Sequence, residues 1–221
     1  MSESDLFAAQ RRAMVEQQLR ARGIRDERVL QAMLEVPRHR FVPPDGIESA
    51  YTDQPLAIGH GQTISQPFMV AAMAEALELG GTERVLEVGA GSGYQAAILA
   101  RLAREVIALE LEPALAQSAA ARLGRMGCAN VRVLAGDASG GYAPMAPYDG
   151  IVVSAAARSV PQPLVEQLAE GGRLLIPVGG ADNQELVRLK RVSGGMSREV
   201  LYHCRFVPLL GEHGQREGGL P

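Results

Sequence analysis

The sequence predicts an α/β fold, doubly wound around a mostly parallel sheet, on three observations. Short apolar runs recur between residues 84 and 178, and they are continuous rather than alternating, as strands covered on both faces are. Helix-patterned segments separate them. The first run ends in a glycine-rich turn, "LEVGAGSG", from Leu86 to Gly93.

Before that turn come two other regions. Residues 1–36 carry two helix patterns, "FAAQRRAMVEQQLRAR" closed by Gly23 and "DERVLQAMLEV" stopped by Pro37, which form an N-terminal helical appendage. Residues 37–65 show no sustained period, and Pro43, Pro44, Gly46, Pro55, Gly59 and Gly61 punctuate them, so an irregular loop is expected. Tyr51, Leu56 and Ile58 anchor it, so it is expected to be ordered and packed. Its last residues, "GQTIS", precede an apolar helix whose buried face is Val70, Met73, Ala74 and Leu77.

From Arg84 the strands are expected at "RVLEV", "EVIALE", "VRVLAG", "DGIVVS" and "RLLIPV". Helices fit between them at "SGYQAAILARLA", "PALAQSAAARLGRMG" and "VPQPLVEQLAEGG", each closing near glycine or carrying proline in its first turn. The alternation then stops. "QELVRLKRV" and "REVLYHCRFVPL", separated by "SGGMS", read as a closing antiparallel pair. Residues 1–221 are therefore expected to be a single domain, with residues 66–221 supplying the core and terminal strands.

Composition excludes several classes. A chain of 221 residues, 47% hydrophobic, has apolar matter for one sizeable core. Its formal net charge of −3 gives no reason to expect attraction to nucleic acid or to an anionic membrane. The N-terminus lacks the basic start and apolar stretch of a secretory signal, and no run reaches transmembrane length. Cys128 and Cys204 stand alone, outside any metal-ligand spacing, so they are expected to be free thiols in a reducing cytoplasm, with no metal site. Lys190 is the single lysine and lies in a late strand, which argues against Schiff-base chemistry. His39, His60 and His213 have no partner that spacing identifies, and none is assigned to catalysis.

The glycine turn indicates the ligand. Gly89, Gly91 and Gly93 make GxGxG, whereas a dinucleotide fingerprint needs its third glycine where this chain has Tyr94. Glu87, two residues before the first glycine, would repel a pyrophosphate but suits an ammonium group. Glu110 ends the next strand, where this topology places a carboxylate on ribose hydroxyls, and Asp137 follows the third strand, where an acid can meet an exocyclic amine. Each residue alone also has a structural reading. In order along consecutive strands, they describe S-adenosylmethionine.

At this point the chain resembles a known family. "AYTDQPLAIGHGQTISQPFMVAAMAEAL", "VLEVGAGSGYQAAILA", "GDA", "APYDGIVVSAAA", "VPQPLVEQLAEGGRLLIPVG" and "FVPL" are similar to the protein-L-isoaspartate O-methyltransferases, over roughly residues 29–211. The resemblance implies a Rossmann-like methyltransferase fold. It implies an enzyme that methylates isoaspartyl residues of aged proteins from S-adenosylmethionine, after which the ester closes to a succinimide, and a partner set limited to such proteins and peptides, the chain acting as a monomer. By the same resemblance Ser65 matches the catalytic serine, and cofactor contacts fall on Gln62, Thr63, Ile64, Ser65, Phe68, Gly89, Gly91, Glu110, Leu111, Asp137 and Ala138. Two departures stand out. Ala138 replaces the usual glycine after Asp137, and Arg158 replaces the usual proline after the alanine run, where it could alter substrate contacts.

An isoaspartyl carboxylate with an ordinary pKa of about 4 is already ionised at pH 7, so methyl transfer needs positioning rather than a strong base. "GQTIS" supplies hydroxyls and N–H groups without a charge that would hold the carboxylate too tightly to react. Ser65 is also expected to cap the following helix. Two rival functions share the glycine turn: a methyltransferase of a small molecule or RNA, and a non-catalytic cofactor-binding module.

Overall fold

The computed structural model describes residues 3–215, with side chains from residue 6 onward. Helix α1 (Glu3–Ala13) runs on through a π turn at Met14–Leu19 and a 3₁₀ turn at Arg20–Arg22, and Gly23 ends it at φ 101°. Helix α2 (Glu27–Glu35) starts on Asp26, whose side chain accepts from the N–H groups of Arg28 and Val29. Its buried residues Val29, Leu30 and Met33 share one apolar cluster with Met14, Leu19, Met73 and Leu99. The N-terminal helices are thus a layer of the main core.

The segment expected as an irregular loop is partly regular. Two 3₁₀ turns, Arg38–Phe41 and Pro44–Ser49, lead into a small antiparallel hairpin of β1 (Leu56–Gly59) and β2 (Gln62–Ile64). Its turn is Gly59-His60-Gly61, all three at positive φ, which glycine adopts freely. Strands of four and three residues are too short to show a period in the sequence. Arg38 is fully buried beneath this segment, its Nε donating to the Ala50 carbonyl at 2.8 Å and its guanidinium 4.9 Å from the Tyr94 ring centre.

After α3 (Pro67–Ala76) the chain enters the α/β core: β3 (Arg84–Val88), α4 (Tyr94–Leu99), β4 (Glu105–Glu110), α5 (Pro113–Arg125), β5 (Val131–Ala135), β6 (Tyr148–Val153), α6 (Gln162–Glu166) and β7 (Leu168–Gly179). Strands β8 (Gln184–Val192) and β9 (Gly195–Cys204) follow. The seven-stranded sheet has the order β5-β4-β3-β6-β7-β8-β9, parallel through β7 and antiparallel at β8 and β9. Alternate strand residues feed alternate faces: Val85, Val106 and Leu175 join the cluster under the N-terminal helices, while Leu86, Ile107 and Leu174 join the cluster on the other face.

One expectation fails at the end of α6. "QLAEGG" was expected to continue the helix, but the helix stops at Glu166 and Leu168 already pairs with Tyr148, with a register shift before Gly150↔Arg173. Gly171 at φ 76° accommodates that irregularity. The "FVPL" stretch likewise lies beyond β9, where Pro208 bridges Ala156 alone.

Candidate active site

The sheet order reverses direction between β3 and β6, and in such sheets the crevice above the strand ends there receives the ligand. Gly89, Gly91 and Gly93 turn the chain across it at φ 87°, 53° and 87°. A Cβ on Gly93 would come within 3.2 Å of Ala119 and 3.3 Å of Leu123, so close helix packing adds to the backbone requirement there. Gly89 and Ala90 both donate to the Leu109 carbonyl at 2.9 Å. Glu110 clamps the rest: its Oε2 accepts from Gly91 N at 2.7 Å and its Oε1 from Glu112 N at 3.0 Å.

A cavity opens above this turn. Gln62, Thr63, Ile64 and Ser65 wall it from the hairpin side, and Glu87, Gly89 and Gly91 from the sheet. Glu110, Leu111 and Ala138 complete the sequence-predicted lining. Past Glu110 and Leu111 the cavity widens into a cleft also bordered by His60, Glu112 and Gly211. Three predicted residues lie elsewhere. Gly93 shapes the turn from behind. Phe68 packs beneath the Arg22 guanidinium, 3.7 Å from its ring centre, with Tyr202 edge-on at 5.3 Å. The Asp137 carboxylate accepts from Ser139 N at 2.8 Å and Glu212 N at 2.7 Å, which ties the segment after β9 over the end of β5. Burial works against its ionisation, but the N–H groups of Glu212 and Ser139 and the Ser139 hydroxyl hold its carboxyl below the ordinary value.

Glu87 is the electrostatic centre of the cavity. It is fully buried, and neither carboxylate oxygen has a hydrogen-bond partner. Burial, and then the charge on Glu110, push its pKa well above the ordinary value. A buried acceptor without a partner is stabilised by an arriving cation, so this site fits the ammonium end of S-adenosylmethionine. Gln95, in the first turn of α4, lines the same cavity and its Nε2 is also unpartnered.

Ser65 is not the cap of α3. The capping position is Gln66, without a side-chain bond, and the Phe68 N–H is taken instead by Asp53 Oδ1 at 3.1 Å. Pro67 opens the helix, so its first position has no N–H to satisfy. Ser65 is left to face the cavity. His39 stacks on Phe7 at 4.1 Å and meets the Tyr51 hydroxyl at 2.8 Å, and His60 lies 3.7 Å from Glu112. The His213 N–H donates to Ser139 Oγ. Arg158 is exposed and lines neither the cavity nor the cleft.

A second groove, of 300 Å³, lies beyond the hairpin, between Pro55, Gln66 and Met69 on one side and His203, Arg205 and Phe206 on the other. Thr63, Ser65, Ser154 and Val207 line both the cavity and the groove. Sequence reasoning missed Ser154 and Gln95. Ser154 is the residue after β6, and its place beside β3 follows only from the strand order.

The family model described as Protein-L-isoaspartate(D-aspartate) O-methyltransferase (PCMT) matches residues 9–214. The chain belongs to this family. It is 54% identical over 205 residues to a protein-L-isoaspartate O-methyltransferase of Methanoregula boonei, covering 93% of this chain and 94% of that one. A solved protein-L-isoaspartate O-methyltransferase superposes with a TM-score of 0.82 at 28% identity, covering 92% of this chain and 66% of that one. A Plasmodium falciparum protein crystallised with S-adenosyl-L-homocysteine gives 0.76 at 29% identity, over 90% and 97%. The family match extends toward the N-terminus beyond the resemblance seen in the sequence and begins within α1. The chain is an S-adenosylmethionine-dependent enzyme that methylates isoaspartyl residues in protein repair.

Proposed function

We propose that the cavity holds the methyl donor, that the second groove holds the isoaspartyl peptide, and that Ser65 meets the reacting carboxylate where the two join. The observation that carries this reading is the shared wall: Thr63, Ser65, Ser154 and Val207 face both spaces. When bound, S-adenosylmethionine supplies a methyl group on a positively charged sulfur. Glu87 takes the ammonium end, Glu110 the ribose hydroxyls, and Leu111 and Ala138 the flanks of the adenine. Asp137, next to Ala138 but outside the cavity lining, holds the Ser139 and Glu212 N–H groups and so shapes the end of the adenine site.

The substrate carboxylate arrives ionised, so the chain has no proton to remove. Its hydroxyls orient the anion without neutralising it, and the lining of the cavity by Ile64, Ala138 and Leu209 excludes water around the transfer path. The enzyme is read as a monomer acting on peptides and proteins rather than nucleic acid, for which a formal net charge of −3 offers no general attraction. The free thiols of Cys128 and Cys204 support a reducing, cytoplasmic setting. Among the described residues, no helix is long and apolar enough to cross a membrane.

The test is methylation of a peptide carrying one isoaspartyl residue against its normal aspartyl isomer. Turnover on the first alone is the expected result. Methylation of RNA or a small molecule with neither peptide modified would favour another acceptor, and binding without turnover on any aged protein would favour a non-catalytic module.

A further inference from the structure

We propose that Ser154 is a second catalytic hydroxyl, donating a hydrogen bond to the substrate carboxylate from the sheet side of the junction while Ser65 does so from the hairpin side. This rests on the reading of the second groove as the peptide site. Of the four residues facing both spaces, Ser154 is the one that directly follows a strand of the central sheet, β6. It follows Val153, which pairs with Val88, and its N–H donates to the Val88 carbonyl at 2.8 Å, so its backbone is held by the β3–β6 ladder. Its Cβ is the nearest side-chain atom to the missing Cβ of Gly89, at 3.7 Å, so the residue stands over the first glycine of the cofactor turn.

Among the described residues its hydroxyl makes no hydrogen bond, and it is not sealed from the cavity. The donor is therefore available, and the backbone that carries it is held in place. A carboxylate has two oxygens, and only one attacks. A neutral donor on the other oxygen orients the acid and leaves the attacking lone pair free, whereas a cation there would stabilise the ground state more than the transition state, in which the negative charge is disappearing. In the step one O–CH₃ bond forms and one S–CH₃ bond breaks. The electron pair of the broken bond stays on sulfur, leaving a thioether and a neutral ester, and Ser154 keeps its proton throughout.

The experiment compares wild type, Ser154→Ala, Ser154→Thr, Ser65→Ala and the Ser65→Ala/Ser154→Ala double variant on one isoaspartyl peptide, with S-adenosyl-L-homocysteine affinity measured by calorimetry. Ser154→Ala is expected to lose at least about tenfold in kcat, the effect of one hydrogen bond to a charged group, with cofactor affinity unchanged. Threonine, which keeps the hydroxyl, should restore most of the loss. The double variant should lose less than the product of the single losses, because both hydroxyls hold one carboxylate. Normal turnover by Ser154→Ala overturns the proposal, as does a loss that threonine fails to restore, or one matched by weaker cofactor binding. A wild-type enzyme inactive on the isoaspartyl peptide would instead refute the reading of the groove, a separate outcome.

Discussion

Glu87 and Glu110 are both buried carboxylates, yet the structure gives them different work. Glu110 is satisfied by the N–H groups of Gly91 and Glu112, while Glu87 has no partner at all. Replacing Glu110 by alanine should therefore weaken S-adenosyl-L-homocysteine binding by about 1.5 to 3 kcal/mol and also lower stability by about 1 kcal/mol for each lost backbone bond. Glu110→Gln, which keeps one acceptor oxygen, separates the two effects; unchanged affinity in both variants would remove Glu110 from the ribose site. Glu87 predicts a pH dependence. Its folded pKa is raised, so above the ordinary carboxyl value of about 4.3 the folded chain binds more protons than the unfolded chain, and its contribution to stability falls as pH rises through that window. An ammonium group favours the ionised form, so ligand binding should release a proton below the raised pKa, and affinity should rise with pH there. Calorimetry in two buffers of different ionisation heat measures this release. Glu87→Gln should abolish it, and equal release by wild type and variant would place the ammonium elsewhere.

At the scale of elements, the helix that follows the active-site hairpin is held by a residue that precedes the hairpin. Asp53 accepts from the N–H of Phe68 at the start of α3 and forms an ion pair with Arg22, while Ser65, two residues before the helix, makes no capping bond. The helix start is thereby secured by Asp53, which leaves Ser65 free for the role proposed above. Asp53→Ala should cost about 1 kcal/mol of stability, the loss of a helix cap. Ser65→Ala should leave the urea midpoint nearly unchanged and lower turnover by about one to two powers of ten. A Ser65→Ala enzyme with normal turnover, or one as unstable as Asp53→Ala, would reverse the assignment. This division was not legible in the sequence, because helix capping normally comes from the residue before the first turn, and nothing local points from residue 53 to residue 68. The strands of the parallel sheet were legible, since "RVLEV" and "EVIALE" are buried on both faces and read as unbroken apolar runs. So was the glycine turn after β3, whose conformation is local. Ser154 and Gln95 were not, because their neighbours are set by strand order and by the emergence of α4, which only the assembled sheet defines.

In the whole molecule, the N-terminal helices and the cofactor cavity are joined by continuous packing. Met33 of α2 is fully buried, and its sulfur lies 3.7 Å from the Tyr94 hydroxyl. Tyr94 is the first residue after the glycine turn and lines the cavity, and Phe41 meets its ring edge-on at 5.4 Å. A layer outside the sheet therefore supports the helix that leaves the turn. If the layer is part of the cooperative core, Met33→Ala should destabilise the protein by about 2 to 5 kcal/mol, the range for emptying a large buried side chain. Its unfolding should remain one transition, because α2 shares its apolar cluster with α3, α4 and the sheet. Cofactor affinity should hold nearly intact, since Phe41 and the Arg38 guanidinium still pack on the Tyr94 ring. Urea unfolding followed by circular dichroism, with calorimetry of S-adenosyl-L-homocysteine, measures all three. A loss below about 1 kcal/mol, or a separate early transition for the helices, would show that the layer is only appended to the sheet, and that the cavity depends on α4 without support from beneath.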